Sequence, residues 1–124
     1  MALEKKITKA ILSTMKHLEN SKKSIAENNR DALENQIWKA SAELEYALFL
    51  FSILRQNEDQ NHSWKGNLKS KGLEFAPVIA STQELLKKAQ TDFENGNLPE
   101  AHKNIWLARG HLLKVQNFLE KKRQ

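Results

Sequence analysis

The chain contains four histidines, His17, His62, His102 and His111, and no cysteine. Without thiols it can form neither disulfides, nor thiolate metal sites, nor a cysteine nucleophile. Metal binding in a helical protein calls for histidines one turn apart, or for the Glu-x-x-His pair that holds two irons in some bundles. No histidine here lies four residues from another, and none follows a glutamate by three. His102 and His111 are nine residues apart, about two and a half helical turns, which points them to opposite sides. The histidines are therefore expected as solvated surface groups. There is no glycine-rich phosphate loop, and no serine stands at a recognisable interval from a histidine and an acid. We expect no catalytic, metal or cofactor site, and a protein that is not an enzyme.

The elements around these residues declare themselves by period. Gly and Pro number four and two, and the abundance of Leu, Ala, Glu, Lys and Gln favours helix throughout. Apolar residues recur at Leu33, Ile37, Ala40, Leu44, Ala47, Phe51 and Leu54. Spacings of four and three draw one stripe down a helix. A second stripe follows at Ala101, Ile105, Ala108, Leu112, Val115 and Leu119.

The two stripes coincide when the chain is slid along itself until Leu33 falls on Ala101. Eleven of the first 56 positions are then identical without a gap, among them Ser13-Thr14 with Ser81-Thr82, Ile37-Trp38 with Ile105-Trp106, and Arg55-Gln56 with Arg123-Gln124. Shared helical phase would match apolar positions but not those pairs, which points to an internal duplication. Each copy reads as a hairpin. Helix one is expected from Leu3 to Glu27 and helix two from Asp31 to Gln56, with Asn28-Asn29-Arg30 as the turn. Asp31 and Glu34 have capping-box spacing. Helix three is expected from Ala76 to Asn95, with Pro77 in its first turn and Gly96 ending it in a left-handed conformation. Asn97 caps helix four, with Pro99 and Glu100 in its first turn, and that helix runs to Lys122. The expected fold is all-α: residues 1–124 as a single four-helix bundle with a pseudo-two-fold, made of hairpin one at 3–56, a polar linker at 57–72 and hairpin two at 73–124.

Two family resemblances follow from this plan. Ala89 to Ala108 resembles one tetratricopeptide-type hairpin through Ala89, Phe93, Leu98, Ala101, Ile105 and Ala108, although the helices here are longer than a 34-residue repeat accommodates. The overall plan is similar to the HEPN class of helical bundles, which includes nucleotide-binding proteins and RNases. In the RNase members an Arg and a His a few residues apart carry the activity, and Arg55 and His62 have six residues between them. That resemblance implies a HEPN-like action on nucleotides or RNA as a third functional reading.

The balance is basic, with 20 Lys+Arg against 15 Asp+Glu, a net charge of +5. The densest positive segments are Lys121-Lys122-Arg123 and Lys65 to Lys71. A basic surface implies weak, salt-sensitive binding of nucleic acid as the second reading. If that surface were a nucleic-acid site, these two segments should share one face. The N-terminus lacks the apolar run of a signal peptide. The longest apolar stretch, Tyr46 to Phe51, is far short of the roughly 18 residues of a membrane span. A soluble, cytoplasmic protein is expected.

The first reading comes from a departure from the repeat. Tyr46, Leu48, Phe49 and Ile53 of helix two correspond to Lys114, Gln116, Asn117 and Lys121 of helix four. Helix two is thus apolar nearly all round in its C-terminal half, and a bundle uses only one stripe. Tyr46, Phe49, Leu50 and Ile53 are expected to project away from the core as a partner interface, covered by a second copy or another protein of a complex, with the linker and its Trp64 as the alternative cover. Trp38 and Trp106, each following a stripe residue, are expected to seal the core edge or to form paired aromatic walls, with Ala42 and Gly110 leaving room beside them.

Overall fold

The computed structural model describes residues 2–54 and 75–123. Among them are four helices and no strand: α1 (Ala2–Ala26), α2 (Arg30–Leu54), α3 (Phe75–Glu94) and α4 (Leu98–Arg123). The linker lies outside the described residues. None of the four helices is long and apolar enough to cross a membrane.

The short turns decide which helices meet. After α1, Asn28 takes a left-handed conformation (φ 57°). Its N–H bonds the Ile25 carbonyl at 3.0 Å, and the Asn29 N–H bonds that of Ser24 at 2.9 Å. This pair is a Schellman termination, which satisfies carbonyls the helix end would otherwise leave open. After α3, Gly96 takes the same conformation (φ 80°). Its N–H bonds the Phe93 carbonyl at 3.1 Å, and the Asn97 N–H bonds that of Asp92 at 2.8 Å. Every donor and acceptor of the second turn falls on its counterpart in the first when Leu33 is laid on Ala101. Asn and Gly are the residues that tolerate positive φ at least cost. The cap of α2 differs from the expected one. Asn29, not Asp31, accepts a bond from the Ala32 N–H through Oδ1 at 3.1 Å, because the chain enters helical geometry already at Arg30.

The core stripes then interlock. α1 packs on α2 and α3, and α4 on α3 and α2. Ile7, Ile11, Leu18, Ile37, Leu44, Phe51, Ile79, Leu86, Ile105, Leu112 and Val115 are fully buried. Two buried threonines occupy equivalent places on α1 and α3, and each hydroxyl is satisfied within its helix at 2.8 Å: Thr14 donates to the Ala10 carbonyl and Thr82 to that of Val78. Buried hydroxyls without such partners would oppose folding. Polar bonds fix the register at the rims. Arg30 Nη2 donates to the Leu119 carbonyl at 3.2 Å, and Arg109 pairs with Glu45, both joining α2 to α4. Gln83 Nε2 donates to Glu19 at 2.9 Å, joining α3 to α1. Phe75 meets Phe118 edge to face.

Leu44 is completely buried on this seam, whereas Phe49, five residues on, is mostly exposed. Leu44→Ala should cost about 2–5 kcal/mol, and Phe49→Ala should leave the thermal midpoint of the isolated protein nearly unchanged. Thermal unfolding followed by circular dichroism measures both. Equal losses at the two positions would mean that α2 has no distinct core face.

Candidate interaction surface

α2 carries two apolar stripes. The core stripe runs through Leu33, Ile37, Ala40, Leu44, Ala47 and Phe51, all buried. The second runs through Trp38, Ala42, Tyr46, Phe49 and Ile53, at intervals of four, four, three and four. At about 100° per residue it lies about 180° round the helix from the first. The large side chains of this outer stripe are open to solvent: Trp38 is 63% exposed, Phe49 60%, Tyr46 44% and Ile53 41%. Ala42 between them is exposed too. The helical rise gives the stripe a length of about 22 Å.

Of the four residues expected to project from the core, Tyr46, Phe49 and Ile53 do so. Leu50 does not: it is 4% exposed and belongs to the core cluster. It stands at the edge of the core stripe rather than opposite it, on the side where α1 closes over α2.

Trp38 belongs to the outer stripe, although its match to Trp106 in sequence sets it beside the core. Trp106 is half-buried and engaged by a neighbour, while the Trp38 ring does not seal the core edge. Beside it, Glu34, Gln116, Leu119 and Glu120 line a recess of about 210 Å³. At the positions that match Glu34 and Leu119 when Leu33 is laid on Ala101 stand His102 and Phe51, whose rings stack at 5.2 Å. Trp38 and Trp106 thus stand in different surroundings, one exposed and one half-buried. Gly110 has open space where a side chain would stand, so its smallness accommodates no ring.

The two edges of the outer stripe differ. Towards α1, Tyr46 shares a groove of about 380 Å³ with Lys6, Lys9, Ala10, Ser13 and Glu43. His17 Nδ1 lies 2.9 Å from Gln36 Oε1, to which it donates, a contact that joins α1 to α2. Lys16, seven residues on from Lys9, lies on the same side of α1, and Lys39 stands one turn on from Gln36. Lys6, Lys9, Lys16 and Lys39 are all exposed, and none has an ion-pair partner among the described residues. Towards α4 the edge is acidic but engaged: Glu34 meets Arg30 at 3.6 Å and Glu45 pairs with Arg109.

The histidines are less solvated than expected. His102 is 7% exposed, stacked on Phe51. His111 is half-buried, with Nδ1 3.4 Å from Thr82 Oγ1. Because the Thr82 hydroxyl proton already goes to the Val78 carbonyl, His111 must be the donor of that contact. Among the described residues no group of three or more histidines and carboxylates could hold a metal. His62, Arg55, Lys65, Lys69 and Lys71 lie outside the described residues, as do the side chains of Lys121, Lys122 and Arg123.

Comparison with protein-family models, with curated proteins and with solved structures gives no match.

His111 makes the fold sensitive to acid. Burial first, and the Lys114 charge second, hold its pKa below the ordinary 6.5. The unfolded chain thus takes up this proton more readily than the folded one. The stability contributed by neutral His111 is complete above pH 6.5 and is lost as pH falls towards the depressed folded value. The thermal midpoint should drop between about pH 7 and pH 5, and His111→Gln should flatten that drop. An equally steep drop in the variant would assign the acid sensitivity to other groups.

Proposed function

We propose that this chain is a non-enzymatic interaction protein, a four-helix bundle of two duplicated antiparallel hairpins that joins a protein partner through the outer face of α2. The observation that carries the reading is the row of Trp38, Tyr46, Phe49 and Ile53, large and exposed, opposite the core of the same helix. Covering each such side chain is worth about 1.5–3 kcal/mol when complete. A contiguous apolar strip of this kind on a small protein marks a binding surface.

The duplication sharpens the point. The turn bonds and the Thr14 and Thr82 bonds recur at equivalent places in the two copies, which supports it, alongside the eleven sequence identities. In the second copy the positions of Tyr46, Phe49 and Ile53 are Lys114, Asn117 and Lys121. A hairpin of this design folds with polar residues there, so the apolar set in α2 answers to something beyond folding. The partner is a second copy of the chain or another subunit of a complex. The absence of cysteine accords with work in a reducing cytoplasm.

The double variant Phe49→Lys with Ile53→Lys should keep its helical circular dichroism. It should also run as a smaller species by light scattering, or fail to retain its partner in a pull-down from the native source. Unfolding of the variant would make the stripe part of the core. Unchanged mass and unchanged partner would leave α2 without a role in association.

A further inference from the structure

We infer that the outer face of α2 receives an acidic amphipathic helix from a different protein, its apolar side on Trp38, Tyr46, Phe49 and Ile53 and its carboxylates on the lysine row of Lys6, Lys9, Lys16 and Lys39. The inference rests on the reading of α2 as an interface and adds the chemistry of what binds there.

The dimensions fit a single helix. The stripe is straight, about 22 Å long and one side-chain row wide, which is the footprint of roughly four turns of helix. The groove that Tyr46 shares with Lys6 and Lys9 gives the stripe a wall along α1, so a docked helix has both a floor and a side.

Charge selects among occupants. Along the α1 edge run four exposed lysines and one carboxylate, Glu43. None of the four lysines is paired among the described residues. A row of one sign beside an apolar floor favours an approaching helix of the opposite sign and repels one of the same sign. A second copy of this chain is a poor match. In an antiparallel contact related by a two-fold axis, the lysine edge of one copy faces that of the other. In a parallel contact it faces the α4 edge, where Glu34 already meets Arg30 and Glu45 already meets Arg109. The chain also carries a net +5, which opposes its own association. An anionic membrane matches the lysines and the aromatic residues, but it would bring lipid phosphates against Glu120 on the other edge, whose exposed carboxylate, unlike those of Glu34 and Glu45, has no ion pair among the described residues.

The test uses the full chain and two designed helical peptides of roughly four turns. They share one leucine face and differ only in carrying Glu or Lys at the flanking positions. Binding is read by fluorescence anisotropy of labelled peptide at low and physiological salt. The glutamate peptide should bind at least about tenfold more tightly than the lysine peptide at low salt, with the gap narrowing as salt rises. Lys6→Glu with Lys9→Glu should abolish or reverse the preference. Phe49→Lys with Ile53→Lys should abolish binding of both peptides. Equal affinity for the two peptides, or binding of neither, overturns the inference. So does a stable dimer of the chain that dissociates in the α2 variant, or binding to vesicles of phosphatidylserine and phosphatidylcholine in place of the peptide. These failures separate from failure of the broader reading. If the α2 variant loses association while the peptides are not distinguished, the acidic partner alone is wrong. If the α2 variant binds as the unaltered chain does, α2 is not the interface.

Discussion

A helix can turn only one face to the centre of a four-helix packing, and α2 has apolar residues on two opposite faces. The rest of the molecule is organised around the inner one. Ile37, Leu44 and Phe51 of α2 are fully buried in one core cluster with Ile105, Leu112 and apolar residues of the other helices. Arg30 and Glu45 tie the same helix to α4 at two levels. With the inner face fixed by these contacts, α2 cannot rotate to hide Trp38 or Phe49 without exposing Leu44. The outer stripe is thus held in solvent by the packing that stabilises the fold.

The neighbours give that stripe its character. α1 supplies lysines along one edge, free of ion pairs among the described residues, and α2 supplies glutamates along the other that are already engaged. The consequence is a surface with a direction: an apolar floor, a positive wall on one side and, on the other, a rim where Glu34 and Glu45 are paired and Glu120 is exposed. Such an arrangement discriminates by charge more than it adds affinity. It suits a site that must accept one kind of helix and refuse another.

Much of this is legible in the residues. Four helices with tight turns follow from period and from Asn and Gly at the turns, and the helix ends fall within two residues of the expected ones where the chain is described. The departures have physical causes. The cap of α2 sits at Asn29 because an Asx side chain reaches the third N–H of whichever turn starts the helix, and two candidates stand two residues apart. Leu50 groups with Phe49 in the sequence because both lie in the apolar run, yet one residue is about a 100° rotation, enough to carry Leu50 under α1. Trp38 aligns with Trp106 when Leu33 is laid on Ala101, although its four-residue interval to Ala42 and Tyr46 already places it on the outer stripe. The burial of His102 depends on Phe51 from another helix, and the lysine row depends on how α1 lies against α2. Neither can be read from one helix at a time.

Hydroxyl-radical footprinting of the purified full chain, and of the same chain inside its native cells, reports whether another chain covers the proposed interface on the outer face of α2. Trp38, Tyr46 and Phe49 should be oxidised readily in the purified protein and protected in the cell, with Phe51 protected in both. Equal reactivity of the three in both settings would contradict the account.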